Sequence, residues 1–208
     1  TEGSYRLTKK EFDMLQKVRD HFDKMIVLLN VGGIMDMQFV DVYQPEAVMY
    51  VWQGGMIGGL GVADVLLGKT SPSGHLTDTI AYHVKDYPSS KNFGNPERNF
   101  YREDIYVGYR YFETFAKDAV RYPFGYGMSY TTFALKMDDL KVMDGQNPID
   151  KEPKTKDIVG KIQVENTGSM PGKAVVQVYV KAPQGKLGKP ERVLADFWKS
   201  EVLQPGQK

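Results

Sequence analysis

The sequence predicts an α/β layer followed by an all-β unit. Three observations carry this. Short apolar runs alternate with helical patterns from Thr8 to Ala81, as in a parallel α/β sheet. Segments after Ile158 alternate apolar and polar residues between glycine- and proline-marked turns, the patterning of a β-sandwich. Between them lies a stretch from Phe100 to Phe133 dense in Tyr and Phe. Rings at that density bury large areas, in a core or on a sugar-stacking surface.

The elements follow in order. Thr8-Lys-Lys-Glu11 reads as a capping box that opens a helix. Phe12, Leu15, Val18 and Phe22 then share one helical face. Met25 to Asn30 is short and apolar and predicts a fully buried strand. Gly32-Gly33 turns the chain, and a short helix is expected near Met35 to Val42. Ala47 to Trp52 is a second buried strand. Gly54 to Gly61 is a glycine-rich loop, and Val62 to Leu67 is helical with Gly68 as its stop. Ser71 to Gly74 is a turn, and His75 to Ala81 a further strand. Tyr82 to Tyr101 is polar, with Pro88, Pro96 and three asparagines, so it predicts a long functional loop. Gly108, Gly125 and Gly127 mark tight turns between rings. Ile158 to Glu165, Ala174 to Lys181 and Val193 to Lys199 are strands. The boundary between the two units falls near residue 130, giving 1–129 and 130–208.

Composition bounds the function. The chain has 208 residues, 41% hydrophobic and 25% charged, with a net charge of +1. No basic field points to nucleic acid. No apolar run approaches the roughly 18 residues that span a bilayer. Cysteine is absent, which excludes disulfides and thiolate metal sites and leaves the compartment open. His21, His75 and His83 are spread out and lack metal-ligand spacing.

Several stretches together carry a resemblance. They are Glu103-Asp-Ile-Tyr-Val-Gly-Tyr-Arg-Tyr-Phe112, Tyr122-Pro-Phe-Gly-Tyr-Gly-Met-Ser-Tyr-Thr-Thr-Phe133, Val27-Leu-Leu-Asn-Val-Gly-Gly33, Trp52-Gln-Gly-Gly55, Val62-Ala-Asp-Val-Leu-Leu-Gly68, Pro72-Ser-Gly-His-Leu76 and Glu165-Asn-Thr-Gly168. In that composition and order the chain resembles the C-terminal part of a glycoside hydrolase family 3 enzyme of the β-glucosidase type. The resemblance implies a partial α/β sandwich with flavodoxin-like layers, then a fibronectin type III-like β-sandwich, truncated at both ends. It implies a retaining, exo-acting parent that removes terminal β-linked glucose or a related sugar from oligosaccharides. A (β/α)8 barrel would supply an aspartate nucleophile, and the α/β sandwich domain an acid/base, often a glutamate in a G-E-G-x-D-R-like string. No barrel is present here, so the chain alone should be inactive. No metal or organic cofactor is implied. The implied partners are the β-glucoside or oligosaccharide and the barrel segment, with no nucleic acid and no membrane.

Each site residue carries a plainer reading beside the functional one. Glu2, in Thr1-Glu-Gly3, is the acid/base candidate; no Asp-Arg pair follows it, and a solvated carboxylate near a chain end is the alternative. Trp52 and Gln53 stand at the carboxyl end of a strand, where open α/β sheets place ligand crevices. They are the substrate-binding candidates, against a core or interdomain role. Gly54 to Gly61 has the context of a phosphate turn but neither G-x-x-x-x-G-K-[ST] nor G-x-G-x-x-G spacing, which argues against a nucleotide site. Glu103-Asp104 reads as a solvated or salt-bridged turn, with Arg102 and Arg110 as partners. Three function classes therefore stand: part of a glycosidase, a non-catalytic accessory or carbohydrate-binding module that packs on a barrel, and a nucleotide-binding domain.

Overall fold

The computed structural model describes residues 4–144 and 156–208. Helix α1 (Lys9–His21) opens on the expected capping box. The Thr8 amide donates to Glu11 Oε2 at 2.7 Å, and the Glu11 amide returns a bond to Thr8 Oγ1 at 3.3 Å. Leu15 is the buried member of its apolar face, with Phe12 and Val18 packed beside it. Phe22, expected on that face, caps the helix and is 63% exposed. Its extended backbone turns the ring away from the core.

Strands β1 (Ile26–Leu29) and β2 (Ala47–Tyr50) pair in parallel, Ile26 opposite Ala47 and Leu29 opposite Tyr50. Helix α2 (Phe39–Tyr43) lies between them in sequence, as a parallel crossover requires. Neither strand is buried on both faces. Ile26 and Leu28 are exposed, while Leu29 faces the core. The pair is covered on one side by α1 and α2, and the other side is open. The first core joins Leu15, Met25, Leu29, Met35, Met37, Phe39, Tyr43 and Ile80. Full burial of a ring such as Phe39 is worth about 1.5–3 kcal/mol.

Helix α3 (Gly58–Leu66) starts inside the glycine-rich segment and buries none of its residues. Gly68 ends it at φ +69°, with the Gly68 amide bonded to Val65 O. The strand expected over His75 to Ala81 contracts to β3 (Ile80–Ala81). It pairs antiparallel with β4 (Val120–Tyr122), which the pattern did not announce, instead of extending the parallel pair. Residues 82–101 form an irregular segment with two short 3₁₀ turns, Val84–Asp86 and Pro88–Lys91. The aromatic stretch contains a further helix, α4 (Tyr109–Phe115), that turn chemistry alone did not predict. Gly108, at φ +60°, stands just before it.

The second part contains β5 (Phe133–Asp144), β6 (Lys156–Asn166), β7 (Val175–Val180) and β8 (Val193–Lys199). β5 pairs with β6 and β7 with β8, both antiparallel. Val164, Ala174, Val176 and Leu203 make its core, flanked by Phe133 and Ile162. Asn166 is fully buried and its side chain makes four hydrogen bonds. Its Oδ1 accepts from Thr131 Oγ1 at 2.7 Å and from the Gly168 amide at 3.1 Å. Its Nδ2 donates to Leu203 O at 2.8 Å and Met170 O at 2.9 Å.

The two parts meet through the aromatic stretch. Tyr109 stacks on Phe124 with centroids 4.6 Å apart and meets Tyr179 edge-on at 6.1 Å. Its hydroxyl accepts from the Leu194 amide at 2.7 Å. Thr114 Oγ1 accepts from the Glu191 amide, and Glu113 pairs with Arg192 at 2.6 Å. Tyr109 therefore crosses to the second part, while Phe112 is buried within the first against Tyr87.

Two outcomes follow from this architecture. Asn166→Ala should cost about 2–4 kcal/mol in urea unfolding, because buried groups lose their partners. Thr132→Ala, an exposed hydroxyl bonded to Thr167, should cost under about 1 kcal/mol. A second outcome concerns acid. Arg121 from β4 grips Asp41 of α2 through two hydrogen bonds, the Nη1–Oδ1 bond being 2.8 Å. That guanidinium holds the Asp41 carboxyl below its usual range. A depressed carboxylate stabilises the fold above its unfolded pKa and loses that contribution as pH falls through the folded value. Asp41→Asn should therefore lower stability at neutral pH and flatten its decline below about pH 4, as followed by denaturation against pH.

Candidate functional site

The carboxyl ends of β1 and β2 are the place to look, since parallel strands there release their loops side by side. The Val51 amide still bonds to Leu29 O at 2.9 Å. One residue later the backbone swings out of the strand. Trp52 takes φ +58°, a left-handed value that costs an L residue roughly 1–2 kcal/mol. The surrounding contacts hold it there. Its indole lies 4.6 Å from the Tyr50 ring at a 41° tilt. Tyr50 is itself fixed at both ends of its hydroxyl, which donates to Gly33 O at 3.2 Å and accepts from the Met35 amide at 2.9 Å. Burial pushes the Tyr50 phenol up to about 12, so it stays protonated at neutral pH.

Gln53 follows with its amide laid over Gly32. A Cβ on Gly32 would stand 3.0 Å from Gln53 Nε2. Glycine is thus needed at 32 for close approach, with no unusual backbone angle involved. Trp52 and Gln53 are in this way joined to the β1 loop, Trp52 through Tyr50 and Gln53 directly. Gln53 is exposed and Trp52 half-buried.

Further phenols gather beside this loop. Tyr5 meets Tyr87 edge-on at 6.3 Å. Burial raises both phenols, and Asp36 adds to the rise at Tyr5. The Tyr87 hydroxyl donates to Thr79 O at 3.0 Å and accepts from the Ala81 amide at 2.9 Å. The Asp78 charge adds to the rise at both Tyr50 and Tyr87. Asp36 is buried, and its Oδ1 accepts from the Gln38 amide. The sequence reading singled out none of these groups. Their only mark in sequence is a tyrosine or aspartate beside each loop.

The chemistry available here is binding. Neutral phenols and an amide can donate and accept hydrogen bonds, and an indole can face a sugar ring. Glu2 falls outside the described residues. Glu103 and Asp104 sit in a turn where Asp104 takes φ +50°. Arg102 and Arg110, expected to pair with them, lie instead over the rings of Phe100 and Tyr109. Among the described residues no three His, Cys, Asp or Glu side chains converge to hold a metal ion.

Comparison with known proteins identifies the family. Residues 1–130 match the glycosyl hydrolase family 3 C-terminal domain, and residues 174–208 match the fibronectin type III-like domain. A β-glucosidase of Ruminococcus albus is 56% identical over 205 residues, covering 99% of this chain and 20% of the relative. β-Glucosidase A of Butyrivibrio fibrisolvens is 47% identical, covering 99% of this chain and 26% of that protein. The crystal structure of a β-glucosidase from Paenibacillus barengoltzii superposes with a TM-score of 0.91 at 53% identity, over all of this chain and 22% of that one. β-Glucosidase 3B from Thermotoga neapolitana, solved with glucose, gives a TM-score of 0.82 at 40% identity, over all of this chain and 28% of that one. The chain thus spans between a fifth and three-tenths of the length of these relatives.

The contact between Gln53 and Gly32 makes a clean test of the local packing. Gly32→Ala should destabilise the fold by about 1 kcal/mol through overpacking. In a Gln53→Ala background the same change should cost close to nothing, as a double-mutant cycle measures.

Proposed function

This chain belongs to glycosyl hydrolase family 3, and on that footing we propose that it is part of a retaining, exo-acting β-glucosidase. The observation that carries the reading is a match to β-glucosidases along nearly the whole chain, at 56% identity in one case. The enzyme takes terminal β-linked glucose or a related sugar from an oligosaccharide or simple β-glucoside. Two carboxylates do this chemistry, roughly 5 Å apart in a retaining enzyme. One attacks the anomeric carbon while the other, kept protonated, hands its proton to the leaving oxygen. The nucleophile belongs to a (β/α)8 barrel outside this chain. Residues 1–129 form the later half of an α/β sandwich domain, and 130–208 a fibronectin type III-like domain.

The role of this chain is to hold and shape. Trp52 offers its indole to the sugar and Gln53 its amide, at the strand end that faces the barrel. The strained backbone at Trp52 supports this assignment, because such strain persists where function requires a fixed direction. The open face of the sheet suits the same arrangement. Ile26 and Leu28 on that face are exposed, as are Met56, Ile57 and Leu60 at the start of α3, and exposed apolar surface marks a docking site. A non-catalytic accessory module that packs on a barrel is the second reading, and that same surface favours it.

Release of nitrophenol from nitrophenyl β-glucoside separates the two. The chain alone should release none. Mixed with a family 3 segment that carries the barrel and the acid/base, it should restore hydrolysis. Trp52→Ala should then lower kcat/KM about tenfold or more, the loss expected for one sugar-facing ring. Association without any hydrolysis would favour the accessory module. Hydrolysis by the chain alone would move the chemistry to Glu2, Glu103 or Asp104.

A further inference from the structure

Residues 85–103, with Tyr111, Ala116 and Ala119, line two adjoining open cavities that share Asn92. The larger, about 490 Å³, is lined by Lys85, Lys91, Arg102 and Tyr111, with Asp86 as its carboxylate. The smaller, about 310 Å³, is lined by Phe93, Asn95, Asn99 and Tyr101, with Glu103 as its carboxylate. The two halves differ in chemistry, one cationic and one aromatic with amides.

Lys85, Lys91 and Arg102 enter no ion pair among the described residues. Asp86 accepts instead from the His83 amide, which engages one of its oxygens. Three cations without an ion pair, Arg102 with its guanidinium over the Phe100 ring, against one engaged carboxylate leave the cavity positive. In the second half Phe93 is 90% and Tyr101 85% exposed. Asn92 braces the segment by donating to Phe100 O at 2.8 Å. Asn95 uses its oxygen on the Glu97 and Arg98 amides and keeps its NH₂ free among the described residues. Exposed ring faces beside free amides are the recognition chemistry of a sugar ring. A guanidinium and ammonium groups next to them suit a carboxylate.

We propose that this groove binds an acidic saccharide, with the carboxylate of a uronic acid among Lys85, Lys91 and Arg102 and the sugar ring on Tyr101 or Phe93. The sugar half of the proposal rests on the hydrolase reading. The anion half stands on the groove itself.

Titration of the intact chain with glucuronate, glucose and acetate at low ionic strength tests it, by ligand-observed NMR or calorimetry. Glucuronate should bind roughly tenfold more tightly than glucose or acetate, the gain expected when a carboxylate is met by charged donors beside a stacked ring. Added salt should erode that preference. The double variant Lys91→Gln/Arg102→Gln should abolish it with an unchanged melting curve, since both side chains are exposed and outside the core. Tyr101→Ala should weaken both sugars. Equal binding of glucose and glucuronate, no binding by a folded chain, or a preference that survives the double variant would each overturn the proposal. Acetate binding as tightly as glucuronate would overturn the saccharide assignment. None of these readouts involves hydrolysis, so failure of the β-glucosidase reading is scored separately, in the nitrophenol assay.

Discussion

The structure depends on what Tyr109 joins. Its ring stacks on Phe124 from one side and receives Tyr179 edge-on from the other, while its hydroxyl holds the Leu194 amide. One residue thereby fastens α4, the segment after β4, and both strands of the β7–β8 pair. Glu113 and Thr114, one helical turn along, add a charged pair and a hydroxyl contact to Arg192 and Glu191, just before β8. An aromatic contact of this kind adds about 0.5–1.5 kcal/mol beyond area burial. Neither small core is large. The seam lets them share stability, and this explains why the aromatic stretch is so dense between two units that each lack it.

The same seam orients the site. β1 and β2 end in loops that carry Trp52, Gln53 and the Gly32-Gly33 turn. Ala81 of β3 and Thr79 just before it bond to the Tyr87 hydroxyl, and Tyr87 packs on Phe112 of α4. A continuous chain of contacts thus runs from the strand ends to the second part. In the proposed enzyme, the fibronectin-like part has no need to touch substrate. It braces the helix against which the site is built.

Local chemistry was legible in the sequence, and distant pairing was not. Thr8 and Glu11 announce α1 because both partners of the capping box lie within one turn. Val193–Lys199 is read correctly because its ends carry turn and charge signals. The family was legible from its ordered motifs. β1 was misjudged as doubly buried because an apolar run cannot say what covers it. α4 went unseen because it is seven residues long, too short for its 3.6-residue period to stand out within an aromatic-rich run. β4 is three residues long and owes its existence to Ile80 and Ala81, some forty positions away. At the site, Trp52 was placed by its position after a strand. Its left-handed backbone and the phenols of Tyr5, Tyr50 and Tyr87 come together only through tertiary packing.

The central claim is that the aromatic seam makes one cooperative unit of the two parts. The chain has two tryptophans, Trp52 before the seam and Trp198 after it. Trp52→Phe and Trp198→Phe variants each leave one reporter, and urea unfolding followed by fluorescence reads the parts separately. The account predicts coincident midpoints and slopes for the two variants after correction for their own stabilities. Two well-separated transitions, with the Trp198 signal lost independently of the Trp52 signal, would contradict it.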